Sequence, residues 1–397
     1  MSYYYIKKRI FYIIMIRAYK YKLKPTVKQQ HMLSQAFGNA RFIYNWGLNR
    51  KKTEWEQNKK PITYIQLAKE LTDLKHDGEH DWLNKTAAVC LQQSLRNLDN
   101  AYTRFFKAKQ GFPKFKSKKN SRDVIKFILS VQFDFEKRRV SIPCIGKVKF
   151  YDNKVFDPDK VKLGTLTVTK DRCNEYWCTI TVDDCKPNIS KTKICEDTTV
   201  GIDLGIKDYA ILSDGMKYGN PKFLEVKQKQ LATAQQWLSR TENGSKRHER
   251  ARLKVAKLNR KIKNRREDFL HKLTSKLISE YDTICIENLD VKDMLQNHKL
   301  ANSIQSAAWS EFTRQLKYKA EWHGKNIVLI GRYEPSSKTC SVCGYVKRDL
   351  TLADREWICP ICSTRHDRDV NAAINIKKFG LHPQALIATD LKVENID

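Results

Sequence analysis

No stretch of the 397-residue sequence approaches the roughly eighteen apolar residues of a membrane-spanning helix, which excludes a helical membrane protein. The opening MSYYYIKKRIFYII has the basic and apolar residues of a signal sequence, but its apolar run is too short and no small-residue cleavage site follows. The expectation is a soluble, cytoplasmic chain. A disulfide framework is missing as well. Of eleven cysteines, seven (Cys90, Cys144, Cys173, Cys178, Cys185, Cys195, Cys285) show no pairing pattern, and their odd number would leave a thiol over, which points to a reducing compartment. Negative charge is in short supply: 44 Asp and Glu face 75 Lys and Arg, a formal net charge of +31. An enzyme of small anionic metabolites needs one positive pocket. A polyanion favours an excess spread along the chain, because each phosphate contact releases condensed counterions. Hydrophobic residues at 41% and aromatics at 10% exclude a basic disordered arm, and the length allows two or three domains.

Residues 16–24 (IRAYKYKLK) alternate and stop at Pro25, which predicts a strand. Thr26 suits an N-cap, and the pattern is then helical to about Gln110. Leu33, Phe37, Phe42, Trp46 and Leu48 mark a first helix, Thr63 to Leu74 a second, and Leu91, Leu95, Leu98, Tyr102 and Phe106 a third. Residues 104–119 (RFFKAKQGFPKFKSKK) follow, with seven basic residues, no acid, and Phe105, Phe106, Phe112 and Phe115 interleaved. Lysines between aromatic faces suit a single-stranded or heteroduplex backbone. A basic helix end before a Gly-Phe-Pro turn, with its phenylalanines in the core, fits the same residues. Residues 122–186 read as β, most clearly LTVT (166–169) and YWCTITVD (176–183). A strand, a helical insertion and then more strands predict a small barrel interrupted by helices. Residues 187–197, starting with Pro187, read as a linker. TTVGIDLG is then a buried strand with YAILSD as its partner, and Glu225 to Glu280 a long helical pair broken at Asn243-Gly244-Ser245. Residues 225–279 carry sixteen Lys and Arg against five acids, a net +11, while Leu258, Ile262, Phe269, Leu273 and Leu277 keep one apolar face. The one-signed excess favours a phosphate-binding face over a merely solvated one.

Three acids stand where apolar runs end. Asp203 closes a strand in VGIDLGIKD (200–208), where Gly205 permits a tight turn; Glu287 follows Ile284–Ile286 in DTICIENLD (282–290); Asp369 starts a short helix in RHDRDVNAAINI (365–376). Such placement gathers carboxylates at one edge of a sheet. In-line cleavage of a phosphodiester must stabilise the attacking and leaving oxygens, which two Mg²⁺ about 3.5–4 Å apart do, and hard cations take carboxylate oxygens. Taken singly, each acid is as well explained by a helix cap or a lysine partner. Asp367 competes with Asp369 or serves as an N-cap, and Asp208 and Asp290 read as surface residues. Cys340-Ser-Val-Cys343 and Cys359-Pro-Ile-Cys362 lie fifteen residues apart, the spacing of one closed, structural, four-thiolate Zn²⁺ site. A redox pair is the alternative. His366 is near, but four thiolates already fill the site. Cys173, Cys178, Cys185 and Cys195 fit no zinc spacing and read as free thiols.

Together GIDLGIKD, the ICIENL strand, the Cys₄ module and the DRDVNAA helix resemble the TnpB (OrfB) family, encoded by insertion-sequence transposons and compact relatives of type V CRISPR nucleases. NARFIYN (39–45), GFPKFK (111–116) and PSSKTCSVCG (335–344) extend the resemblance over nearly the whole chain from Met15. It implies an α+β multidomain fold. Residues 15–25 and 121–186 form a wedge-like β-barrel, 26–120 an inserted helical recognition domain, and 187–197 a linker. Residues 198–336 and 365–380 form an α/β RNase H-like (RuvC-type) nuclease domain, 337–364 an inserted Cys₄ zinc module, and 381–397 a tail. Members of the family begin near Met15, so residues 1–14 are expected to be a non-native extension. The resemblance assigns catalysis and two Mg²⁺ to Asp203, Glu287 and Asp369, and one Zn²⁺ to Cys340, Cys343, Cys359 and Cys362. It implies RNA-guided, Mg²⁺-dependent cleavage of double-stranded DNA beside a short transposon-associated motif, with a guide RNA from the transposon end. The residues agree in part: with no helix–turn–helix or finger array to read a long sequence, a chain that grips phosphates gains by delegating sequence to base pairing. They leave open an unguided strand-transfer transposase on the same triad. A non-enzymatic, zinc-dependent DNA-binding regulator of transposition is the third reading, and the three acids speak against it.

Overall fold

The computed structural model describes residues 16–382, apart from 109, 129–130, 152–155, 158–159, 184–188, 295, 297–300, 333 and 352. The segment 1–14, Cys185, Pro187 and the tail from 383 lie outside the described residues. The chain divides into two compact units, 1–187 and 188–397.

In the first unit, strand β1 (Ile16–Lys24) ends at Pro25, which has no N–H for a ladder. Thr26 caps helix α1 (Val27–Asn58): its hydroxyl accepts from the Gln29 N–H, and the Gln29 side chain accepts from the Thr26 N–H. Thr63 and Gln66 repeat the device at α2 (Tyr64–Leu74). With α3 (Ala88–Ala108), these helices share a core of Ile43, Leu48, Leu67, Leu91 and Leu95. Six further strands follow: β2 (Asp123–Ile128), β3 (Gln132–Asp134), β4 (Arg139–Ile142), β5 (Gly146–Tyr151), β6 (Lys162–Lys170) and β7 (Tyr176–Asp183). They join β1 in an antiparallel sheet of order β2-β6-β7-β1-β5-β4-β3. Alternation sets one face: Tyr176, Cys178, Ile180 and Val182 of β7 all enter the core. The expected barrel is corrected to a half-barrel, since among the described residues the edge strands β2 and β3 do not pair. Leu33, Ala36, Phe37 and Ala40 of α1 complete that core.

In the second unit, β8 (Thr199–Asp203) pairs antiparallel with β9 (Asp208–Leu212), and β9 with β10 (Lys217–Gly219). Helices α4 (Phe223–Ser239) and α5 (Lys246–Glu280) follow, and Ser245 caps α5 at the expected break by accepting from the His248 N–H. Strand β11 (Thr283–Glu287) runs parallel to β8. After α6 (Val291–Met294), α7 (Ala301–Ala307) and α8 (Trp309–His323), β12 (Asn326–Ile330) runs parallel to β11. The sheet order is β10-β9-β8-β11-β12. The short antiparallel pair β13 (Glu356–Ile358) and β14 (Arg365–Asp367) leads into α9 (Arg368–Leu381).

Parity along the central strands sorts the two faces of this sheet. Val200, Ile202, Ile284 and Ile286 enter a core with Leu270, Leu273 and Leu277 of α5 and Phe312 and Leu316 of α8. Gly201 and Cys285, one residue out of phase, face α9. A Cβ on Gly201 would stand 2.1 Å from the Ala373 carbonyl oxygen and 2.5 Å from the Lys377 nitrogen. One on Gly380 would stand 2.3 Å from the Cys285 Sγ. Helix α9 therefore lies on the sheet at backbone contact, which a glycine at each point permits. Among the described residues no helix is long and apolar enough to cross a membrane.

Gly201→Ala is expected to destabilise the second unit by about 1–3 kcal/mol or more, as α9 is forced away from β8. Gly38→Ala, within α1 and with nothing within 4 Å of the new Cβ, is expected to stabilise by up to about 1 kcal/mol. Thermal melting of the two variants beside the parent chain checks both signs.

Candidate active site

The parity that turns Gly201 and Cys285 toward α9 turns Asp203 and Glu287 the same way two residues later. Ile202 is in register with Ile286, so the two acids end adjacent strands, at a spacing of roughly 4.8 Å. Asp369 comes from the first turn of α9, about 6 Å along the axis before Ala373, the residue that meets Gly201. Asp203 registers this crowding. Burial first, then the charges of Glu287 and Asp369, push its carboxyl up to about 7, against the opposing pull of Arg368. A carboxyl in that position keeps a proton or takes a cation.

Each neighbouring acid has its own hold. The Oε1 of Glu287 accepts from the Ser336 hydroxyl at 2.7 Å. Asp369 lies between two arginines, Arg368 at 2.9 Å and Arg355 at 3.2 Å. Asp367, its competitor, is the N-cap of α9: its Oδ1 accepts from the N–H groups of Asp369 and Val370, and Lys217 stands 2.6 Å from its Oδ2. Burial raises the Asp367 pKa, but Lys217 and the helix N–H groups outweigh it and hold the carboxyl below its ordinary value. Asp290 pairs with Arg332, and neither it nor Asp208 is among the charges acting on Asp203.

The four thiols converge more tightly. Cys340, Cys343, Cys359 and Cys362 hold their Sγ atoms within 4.8 Å of one another. Cys340 and Cys362 are 3.6 Å apart, and Cys343 and Cys359 are 3.5 Å apart. Zinc–sulfur bonds of about 2.3 Å in a tetrahedron put sulfurs roughly 3.8 Å apart, so donor type and spacing both fit one Zn²⁺. The two halves are built alike. Gly344 N–H donates to Cys340 O at 3.0 Å and Cys340 N–H to Tyr345 O at 2.8 Å; Ser363 N–H donates to Cys359 O and Cys359 N–H to Thr364 O, each at 2.9 Å. The residue after each second cysteine turns the chain through a left-handed φ, 81° at Gly344 and 55° at Ser363. His366 places Nε2 3.1 Å from the Cys340 Sγ and its ring against Trp357, as a partner of one sulfur. Among the described residues no second group of Cys, His, Asp and Glu atoms is gathered as tightly. The three carboxylates lie further apart than the sulfurs. Cys173 and Cys178 are buried.

Helix α9 ties the two centres together. Asn371 accepts from the Ser341 N–H at 2.9 Å and donates to Thr339 O at 2.7 Å. Asn375 donates to Ser336 O at 2.8 Å and to Thr339 O at 2.6 Å, and Lys378 donates to Ser341 O. These residues, spaced i, i+4 and i+7, share one helix face. Sequence reasoning singled out none of Gly201, Gly380, Ser336, Arg355 and Arg368. A glycine at the centre of an apolar strand was the available signal for Gly201; no local pattern marks the others.

In the first unit, the turn at Gly111-Phe112-Pro113 sets Phe112 5.5 Å from Tyr102 and 5.4 Å from Phe105, ring centre to ring centre. Phe106, Phe112 and Phe115 remain 73%, 42% and 54% exposed, which overturns the core reading for those three. Asn45 fixes the segment through two 2.8 Å bonds with the Lys116 backbone, and the Lys116 ammonium lies 3.4 Å over the Tyr44 ring. Along α5 of the second unit, Arg250, Lys254, Lys257 and Lys261 line an open depression with Leu253 and Leu258.

A half-barrel followed by a mixed sheet carrying a four-thiol module defines a fold class. It is that of the solved structure described as "Cryo-EM structure of the Cas12f1-sgRNA-target DNA complex", matched with a TM-score of 0.50 at 14% identity over 92% of this chain and 99% of that one. Within that class, the chain belongs to the TnpB (OrfB) family. A relative from Streptomyces pristinaespiralis, "Putative RNA-guided DNA endonuclease", is 37% identical over 93% of this chain and 90% of its own length. One from Escherichia coli (strain K12), "Putative RNA-guided DNA endonuclease InsQ", is 29% identical over 92% of each. The family model described as "Probable transposase" matches residues 182–298, and "Cas12f1-like, TNB domain" matches 309–376. A third, "Helix-turn-helix domain", matches 15–60, where this chain has β1 and the single helix α1.

Cys359→Ser is expected to reduce zinc from about one ion per chain toward none and to lower the melting temperature of the second unit, because structural zinc contributes folding free energy directly. Elemental analysis and melting of the variant check both outcomes.

Proposed function

We propose that the chain is an RNA-guided DNA endonuclease that cuts double-stranded DNA beside a short transposon-associated motif, with Asp203, Glu287 and Asp369 as its catalytic carboxylates. The observation that carries the reading is the convergence on Asp203. Three acids from β8, β11 and α9 crowd together in a chain of net charge +31, at a cost in electrostatic repulsion that a divalent cation would relieve. The relatives of matching length are named for this activity.

The half-barrel and helices α1–α3 take the roles of wedge (15–25 and 121–186) and recognition domain (26–120). The sheet order β10-β9-β8-β11-β12, antiparallel on one side of β8 and parallel on the other, supports the RNase H-like, RuvC-type assignment for 198–336 and 365–380, with the zinc module at 337–364. Carboxylate oxygens of the three acids would hold two Mg²⁺, which when bound stabilise charge on the attacking and leaving oxygens of the phosphodiester. Arg355 and Arg368 offset negative charge at Asp369, so the acids repel an incoming backbone less. Exposed phenylalanines among lysines in the first unit, and the basic face of α5, suit a guide RNA and its heteroduplex, gripped by charge and stacking without reading many bases.

Asp203→Ala, Glu287→Ala and Asp369→Ala are each expected to reduce plasmid cleavage by roughly a thousandfold or more while leaving nucleic-acid binding close to that of the parent. The decisive experiment expresses the chain with its own flanking DNA, sequences the copurified RNA, and assays Mg²⁺-dependent cutting with native and reprogrammed guides. Cutting should follow the guide and vanish with RNase. Binding should weaken roughly 10³–10⁵-fold between 50 and 200 mM salt if six to ten phosphates are neutralised. Cutting of transposon-end DNA that survives RNase would instead identify unguided strand transfer.

A further inference from the structure

We propose that Ser336 is a positioning residue for the acidic centre, its hydroxyl setting the carboxylate of Glu287 for a divalent cation while helix α9 holds Ser336 in place. The proposal rests on the reading of Asp203, Glu287 and Asp369 given above.

Glu287 stands at the last position of β11, in register with Ile330 of β12, and backbone pairing leaves the three rotatable bonds of its side chain unset. Among the described residues one hydrogen bond fixes it: the Ser336 hydroxyl donates to Oε1 at 2.7 Å, an ordinary O–H···O distance. A serine has one hydroxyl proton to give, so this bond takes one lone pair of the carboxylate and leaves Oε2 and the rest of Oε1 for a cation. Ser336 is itself nearly enclosed, at 6% exposure, and its backbone is held on both sides. Its N–H donates to Glu334 O at 2.8 Å, and its carbonyl accepts from Asn375 at 2.8 Å. Asn375 is buried and lies on α9, six residues after Asp369. One helix therefore places Asp369 directly and Glu287 through Asn375 and Ser336, which couples the spacing of two acids to a single rigid body. A partner that orients a ligand in this way commonly changes metal affinity by tenfold to a hundredfold when removed.

Two readouts test this on the full chain with its copurified RNA. One is the Mg²⁺ concentration for half-maximal cleavage at saturating target. The other is independent of catalysis: Fe²⁺ with ascorbate and peroxide cuts the polypeptide beside a bound metal, and the Fe²⁺ concentration for half-maximal scission near 203, 287 and 369 measures occupancy of the acidic centre. Ser336→Ala should raise both midpoints about tenfold or more, with zinc content, melting temperature and DNA binding unchanged. Ser336→Thr, which keeps the hydroxyl, should restore both. Parental midpoints for Ser336→Ala, in a series where Glu287→Ala abolishes cleavage and scission, would overturn the role of Ser336 and leave the acidic centre standing. If Glu287→Ala itself leaves both readouts unchanged, the acidic-site reading fails and Ser336 falls with it. Loss of zinc or early melting of Ser336→Ala would show that the bond is structural and overturn the positioning role.

Discussion

Helix α9 meets β8 at backbone range over Gly201, beside the packing of Ile376 and Phe379 on Cys285, Val328 and Ile330. Gly201 on β8 and Gly380 on α9 itself are the two points where any Cβ would collide, with Ala373 and Lys377 in one case and Cys285 in the other. An ordinary covering helix stands off by the thickness of its side chains, and a first-turn carboxylate on such a helix would sit well away from the strand ends. The close approach puts Asp369 within electrostatic reach of Asp203 and allows the Asn371, Asn375 and Lys378 face to hold the segment around the first thiol pair. Geometry at the acids and anchoring of the thiol module therefore follow from the same two glycines.

The site is also an electrostatic compromise. A chain with an excess of 31 positive charges gathers three acids at one site, and burial first, then the charges of Glu287 and Asp369, push the Asp203 carboxyl up. Arg355 comes from within the thiol module and Arg368 from the start of α9, and both close on Asp369. Arg368 is also tied to the module's backbone, its N–H donating to Arg355 O. The module is thus joined to the acidic centre by charge as well as by the asparagine contacts, and its integrity bears on where Asp369 points.

Much of this was legible in advance where the governing rule was local. Thr26 reads as a cap because its hydroxyl needs only Gln29, three residues on, and Ser245 at the break caps α5 through His248 for the same reason. The acids at strand ends were legible because short, continuously buried strands stop at Asp203 and Glu287. The half-barrel was not: whether β2 and β3 meet depends on how much of the core α1 already fills, a volume question that alternation does not carry. The exposure of Phe106, Phe112 and Phe115 was equally out of reach, because basic residues beside aromatics fit a core turn and a surface shelf alike.

By itself the sequence determined the first strand and the helix capped by Thr26, the two thiol pairs and their template spacing, the excess of positive charge, and three carboxylates each placed at the end of an element. All of these rest on interactions within a few residues, or on counting, and neither needs a fold. Tertiary structure alone commits Asp367 to capping α9 and brings the charge of Asp369 within reach of Asp203. It alone brought Ser336 to Glu287 across 49 residues, Arg355 to Asp369 across 14, and the Gly201 backbone to Ala373 across a far longer stretch of chain. Those contacts depend on the distance between a helix and a sheet, and that distance is set by the absence of a Cβ at two positions whose partners no periodicity reveals.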